Sequence, residues 1–141
     1  MYTKVVYVCS PLKGELQENI TKAIQYCRQT KELGYIPYAP HVLFTTFMDD
    51  NDPKERIIAM HMGLEMLKKC DELWVFGSQI TEGMAREILR AKELGIPVYY
   101  KNSRILDLRI KMKTLCNAAW KRNKKPVSNI KNRIQVLLFK K

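Results

Sequence analysis

Hydrophobic and polar positions fall into alternating blocks over the first hundred residues. Lys4–Cys9 (KVVYVC) is a short β-branched run and predicts a buried strand. Ser10–Gly14 follows as a turn. Glu15–Leu33 places Ile20, Ala23, Ile24 and Cys27 at helical spacing, and Gly34 stands where a helix-ending glycine belongs. Tyr35–Tyr38 predicts a second strand, then a long loop from Ala39 to about Asp52. Asp52, Pro53 and Glu55 form a capping-box start to a helix reaching about Lys69. Glu72–Phe76 (ELWVF) predicts the third strand. Thr81 is placed to cap a helix ending near Leu94, with Gly95 as its stop. Ile96–Tyr100 (IPVYY) predicts the fourth strand, and Pro97 suggests an edge position.

Alternating strands and helices predict an α/β fold. The expected form is a three-layer, flavodoxin- or Rossmann-like parallel sheet of four to five strands with helices on both faces. Ligands in such sheets sit beyond the carboxyl ends of the strands, where the winding reverses. The loops after the first three strands are therefore the expected cleft. Residues 1–104 are expected to form this domain, and residues 105–141 a basic extension, helical in part. Within it, 105–120 suits an amphipathic helix, 121–127 a linker, and 128–139 a final helix or strand.

Charge sharpens this division. Residues 101–141 hold 13 Lys and Arg and one Asp, a net of +12, whereas the chain as a whole is +11. The basic character therefore belongs to the tail, which suits nucleic acid, an anionic ligand or an acidic partner surface. No apolar run approaches membrane-spanning length, and Met1–Ser10 reads as a strand and not as a signal peptide. A cytoplasmic protein is expected. The four cysteines, at 9, 27, 70 and 116, show no metal-ligand spacing and suit reduced thiols. Neither a metal nor a cofactor is expected.

One residue does not fit its place. On a helical wheel with Met84 at zero, Ile88 falls at about 40°, Ala91 at about 340° and Leu94 at about 280°. Glu87 falls at about 300°, inside that apolar arc. A carboxylate there is costly unless it is paired, hydrogen-bonded or facing a cleft. A buried ion pair is the plain alternative. The helix dipole is expected to keep the group ionised, and an ionised carboxylate at a cleft can act as a nucleophile. Gly83, one turn earlier, leaves the carboxylate uncovered and permits close approach of a ligand.

Here the chain resembles a known family. VYVCSPLKG at 6–14, GYIPYAPH at 34–41, DDNDPKER at 49–56, GLEMLKKCDELWVFG at 63–77, EGMAREI at 82–88 and GIPVYY at 95–100 look like the nucleoside 2-deoxyribosyltransferase-like superfamily. The likeness is greatest to its small members from bacteria and their phages. The resemblance implies that Glu87, in a G-x-x-x-E pattern, attacks the anomeric carbon of a nucleoside and that Tyr7 orients it. It also implies a homo-oligomer in which one subunit closes its neighbour's cleft. Two positions depart from the family pattern. Thr81 stands where the transferases carry an aspartate, and Gly63 where they carry the acid that helps the base leave.

The remaining candidate ligand-binding residues lie in the loops. Ser10, Lys13 and Gly14 follow the first strand, where Lys13 and backbone N–H groups suit a phosphate. Ser78 could serve likewise after the third strand. His41 ends the second strand and is placed to touch a base. Asp71 reads as structural, and His61 receives no role.

Three functions follow as expectations. The first is an enzyme that cleaves or exchanges an N-glycosidic bond of a nucleoside or nucleotide. The second is a non-catalytic binder that sequesters a nucleotide-derived signal. The third is a nucleic-acid-associated module that uses the basic tail, with Trp120 available for stacking.

Overall fold

The computed structural model describes residues 3–101 and residue 115. The expectations for the basic extension, including Trp120 and Cys116, lie outside the described residues. The elements run β1 (Val5–Cys9), α1 (Leu16–Glu32), β2 (Ile36–Tyr38), α2 (Pro40–Phe44), α3 (Pro53–Leu67), β3 (Glu72–Phe76), α4 (Glu82–Glu93) and β4 (Val98–Lys101). All strand pairings are parallel, in the order β2-β1-β3-β4. The chain moves outward from β1 to β2 and then crosses back to β3. The winding therefore reverses between β1 and β3. The fold is α/β and Rossmann-like, with β4, the strand entered through Pro97, at an edge.

Strand alternation divides the core in two. Tyr7 and Cys9 of β1 and Leu73 and Val75 of β3 pack with Leu67 of α3 and Met84, Ile88 and Ala91 of α4. Val6, Val8, Trp74 and Phe76 are also buried, and by alternation face the other way. There Tyr26 of α1 stacks on Phe76 with ring centroids 4.5 Å apart. Glu72, 7% exposed, is held on that face by the Trp74 indole N–H at 2.8 Å and by Lys4 at 3.2 Å. Asp71 ties the strand entrances together. Its carboxylate accepts from the Val5 N–H at 2.7 Å, and its own N–H donates to the Val5 carbonyl at 2.8 Å.

Helix ends follow local chemistry. After α1 and α4 the chain turns through Gly34 (φ 91°) and Gly95 (φ 71°). Each end closes with paired backbone bonds, Gly34 to Lys31 with Tyr35 to Thr30, and Gly95 to Lys92 with Ile96 to Ala91. Thr81 caps α4 by accepting from the Met84 N–H at 3.4 Å.

Two local expectations change. The segment after β2 is not all loop, because Pro40, at the first helical position, opens the short helix α2. The start of α3 is not a reciprocal capping box. Asp52 does accept, from the Lys54 N–H at 2.9 Å, but Glu55 turns to the N–H of Asp49 and not to that of Asp52. The Asp52 N–H is already bonded to the Asp49 carbonyl. Glu55 thereby ties the approach to α3 onto its first turn.

Candidate functional site

The Tyr7 hydroxyl donates to Glu87 Oε1 at 2.8 Å across eighty residues of chain. Tyr7 comes from the centre of the sheet and Glu87 from the second turn of α4. They meet because parallel pairing of β1 with β3 sets α4 against β1. Gly63 of α3 completes the arrangement. A Cβ at position 63 would stand 3.1 Å from the Tyr7 hydroxyl and 3.6 Å from Pro40 Cβ. Both neighbours are buried, so the bare backbone of α3 gives the phenol its room.

The pair opens onto a cavity of about 540 Å³, large enough for a nucleoside-sized ligand. The cavity lies at the carboxyl end of β1, beside the point where the winding reverses. Ser10, Lys13, His41 and Gly83 line it with Tyr7 and Glu87. Gly14 and Ser78 do not line it, and both are exposed. A Cβ on Gly83 would meet nothing within 4 Å. The glycine thus leaves open space at the cavity wall and relieves no crowding inside the protein.

Electrostatics divide the site into two parts. Burial raises the proton affinity of Glu87, opposed by the neighbouring Cys9 thiol and by the hydrogen bond from the Tyr7 hydroxyl. Desolvation therefore outweighs these donors. No ion pair engages Glu87 among the described residues. Tyr7 is held protonated by burial and by the adjacent carboxylate. Burial likewise raises Cys9, with the Glu87 carboxylate adding to it, and keeps it a thiol.

The second part is a Ser10–His41 pair. Ser10 Oγ lies 2.9 Å from His41 Nε2, and burial pushes the imidazole down to about 4. His41 is consequently neutral at physiological pH, with one ring nitrogen a donor and the other an acceptor.

Of α3, only Gly63 was placed at the site from the sequence, through the family resemblance. Met60, Gly63 and Arg56 of α3 line the cavity, as do Asp49 and Asp50 before it. Arg86 of α4 bonds to Glu82 and to the Met60 sulfur, while Arg56 lies 4.0 Å from Asp50. The signal available was the composition of α3, which is apolar nearly all round although only Gly63 and Leu67 are buried. Among the described residues, no group of three or more His, Cys, Asp or Glu side chains is arranged to hold a metal ion. Cys9, Cys27 and Cys70 are free, and His61 is exposed on α3. No described helix is long and apolar enough to cross a membrane.

The fold has a counterpart among solved structures. A 2-deoxyribosyltransferase from the psychrotolerant bacterium Bacillus psychrosaccharolyticus, described as a biocatalyst for synthesis of antiviral and antitumoral nucleosides, superposes with a TM-score of 0.53. The two are 23% identical, over 68% of this chain and 70% of that one. At this identity the likeness is one of fold. Curated protein sequences give no match. Residues 4–101 match the family described as a domain of unknown function, DUF7768. That match spans the whole sheet and every residue of the cavity, and the chain belongs to the DUF7768 family.

Proposed function

We propose that this chain is a nucleoside-processing enzyme that cleaves or exchanges an N-glycosidic bond, with Glu87 as nucleophile and Tyr7 as its orienting donor. The observation that carries the proposal is the 2.8 Å Tyr7–Glu87 bond at the wall of a nucleoside-sized cavity. A carboxylate with a hydrogen-bonded partner, no counter-ion among the described residues and an open face is suited to attack carbon. The shared fold of a 2-deoxyribosyltransferase adds support.

In the first step a Glu87 oxygen bonds to the anomeric carbon as the bond from that carbon to the base breaks. The electron pair leaves with the base, which takes up a proton. In the second step water or another base attacks the same carbon, and Glu87 departs as carboxylate. Charge builds on the sugar ring in both steps, and the nearby carboxylate stabilises it. Ser10, Lys13, His41 and Gly83 contact the sugar, a phosphate or the base, while Gly14 and Ser78 act only through their loops.

The test is incubation with 2′-deoxynucleosides, their 5′-monophosphates and dinucleotides, with and without an acceptor base. Free base should appear with the native chain and not with Glu87→Gln. Absence of base across the panel at high protein concentration would sink the proposal.

A second role has one specific observation in its favour. At the two positions where the transferases carry acids, this chain has Gly63, packed against Tyr7, and Thr81, committed to capping α4. A non-catalytic binder of a nucleotide-derived signal needs neither acid. In that case the ligand is recovered intact from the protein and raises its melting temperature. Homo-oligomeric assembly, a cytoplasmic setting and contact of the 105–141 extension with nucleic acid belong with these proposals.

A further inference from the structure

With Glu87 as nucleophile, a sugar held on that residue still has to be released. Its release by water requires a group that takes a proton. Positions 63 and 81 carry no carboxylate, and the other acids lining the cavity are engaged: Glu55 accepts from the Asp49 N–H, Asp49 from the Asn51 N–H, Asp50 lies 4.0 Å from Arg56 and Glu82 pairs with Arg86. The Tyr7 hydroxyl donates to Glu87 and is held protonated, so it is unsuited to accept. The Cys9 thiol is fully buried and held protonated as well.

Ser10 and His41 are differently placed. Ser10 is the residue immediately after β1, three positions beyond Tyr7, and His41 stands in the first turn of α2. The two elements converge because β2 pairs with β1 in register, Tyr38 opposite Tyr7. The same pairing brings the chain that follows β2 alongside the chain that follows β1. Both residues line the cavity that holds Glu87, and their polar atoms are 2.9 Å apart.

We infer that Ser10 and His41 form the proton relay that releases the sugar from Glu87 to water, so that the chain acts as a hydrolase before it acts as a transferase. This rests on Glu87 forming the glycosyl ester proposed above. In the step, a water oxygen bonds to the anomeric carbon and the bond from that carbon to the Glu87 oxygen breaks. The carboxylate keeps the electron pair. The water proton passes to Ser10 Oγ as the Ser10 proton passes to His41 Nε2. The imidazolium then loses its proton to solvent, which restores the site. A half-buried neutral imidazole with no carboxylate hydrogen-bonded to it returns the proton readily, consistent with the lowered proton affinity of His41.

The experiment compares the full chain with Ser10→Ala, His41→Gln and Glu87→Gln on a 2′-deoxynucleoside that the native chain cleaves. It follows base release by rapid quench and the sugar–protein adduct by intact mass. Ser10→Ala removes one oxygen, and His41→Gln keeps a hydrogen-bonding side chain, which guards against loss of folding. Loss of a ligand contact should raise the substrate concentration each variant needs; at saturating substrate both should still give a first-turnover burst of one base per chain, lose steady-state turnover by about 100-fold, and accumulate the adduct. Added azide, a nucleophile that needs no deprotonation, should restore turnover and yield the glycosyl azide. A general structural defect would not respond to azide.

If the native chain turns over and both variants match it in steady state, or lose burst and turnover together without azide rescue, the relay is overturned while Glu87 keeps its role. If the native chain releases no base and forms no adduct from any substrate, the relay falls together with the proposed function.

Discussion

Gly63 and Tyr7 are matched as a gap and its occupant, since a Cβ at position 63 would approach the Tyr7 hydroxyl to 3.1 Å. Tyr7 is fully buried, so it cannot swing aside cheaply. Gly63→Ala gains up to about 1 kcal/mol of helix propensity and pays a similar crowding cost. Its melting temperature should therefore change little. Base release should fall by about tenfold or more, because displacing the phenol weakens its bond to Glu87, as in the loss of a catalytic positioning contact.

Gly83→Ala is the contrasting case. Nothing lies within 4 Å of the added methyl, and no unusual backbone angle is involved. The variant should be more stable by up to about 1 kcal/mol in chemical denaturation. Any loss of ligand affinity would then report occupancy of the cavity wall by the ligand and not damage to the fold.

Tyr7→Phe removes the donor to Glu87. A partly buried acceptor without its partner costs about 1–3 kcal/mol, and the carboxyl proton affinity should rise further. Denaturation at neutral pH should show the loss of stability, and the acid limb of base release should move to higher pH. An unshifted limb would argue that the phenol does not govern the carboxylate.

Glu87→Gln should remove base release altogether, and its stability should depend on pH in a defined direction. Burial raises the folded-state proton affinity of Glu87 above its unfolded value. The stability from this group is therefore full below the unfolded carboxyl range and is lost as pH rises through the folded value. The neutral amide escapes that loss. The variant should melt above the native chain at pH 7, and the difference should close as pH falls towards 4.5, the ordinary value.

His41 runs the other way. Its folded-state value is lowered from 6.5 to about 4, so its contribution is present above 6.5 and lost as pH falls through about 4. The loss is of order 2–3 kcal/mol. His41→Gln should flatten the fall in melting temperature across that window, measured against the native chain in the same buffers. An equally steep fall in both proteins would show that the imidazole is not buried as described.

The sequence was sufficient for the four strands and the three longer helices, in their order. The strand KVVYVC, the capping Thr81, the turn residues Gly34 and Gly95 and the Pro97 entry to an edge strand each act through local backbone chemistry, which is written in consecutive residues. It also exposed Glu87 as a carboxylate on an apolar stripe, since helical periodicity is local too. Short α2 and the switch of Glu55 from Asp52 to Asp49 were not legible, because each depends on where the neighbouring loop folds back. Nothing local could tell that the α3 backbone at Gly63 meets the Tyr7 hydroxyl, or that Ser10 meets His41. Those contacts join residues 56 and 31 positions apart. They exist only because parallel pairing of β1 with both β2 and β3 carries the ends of β1 and β2, with α3 and α4, to one cavity. Sequence by itself determined which groups were available. The strand order decided which of them touch.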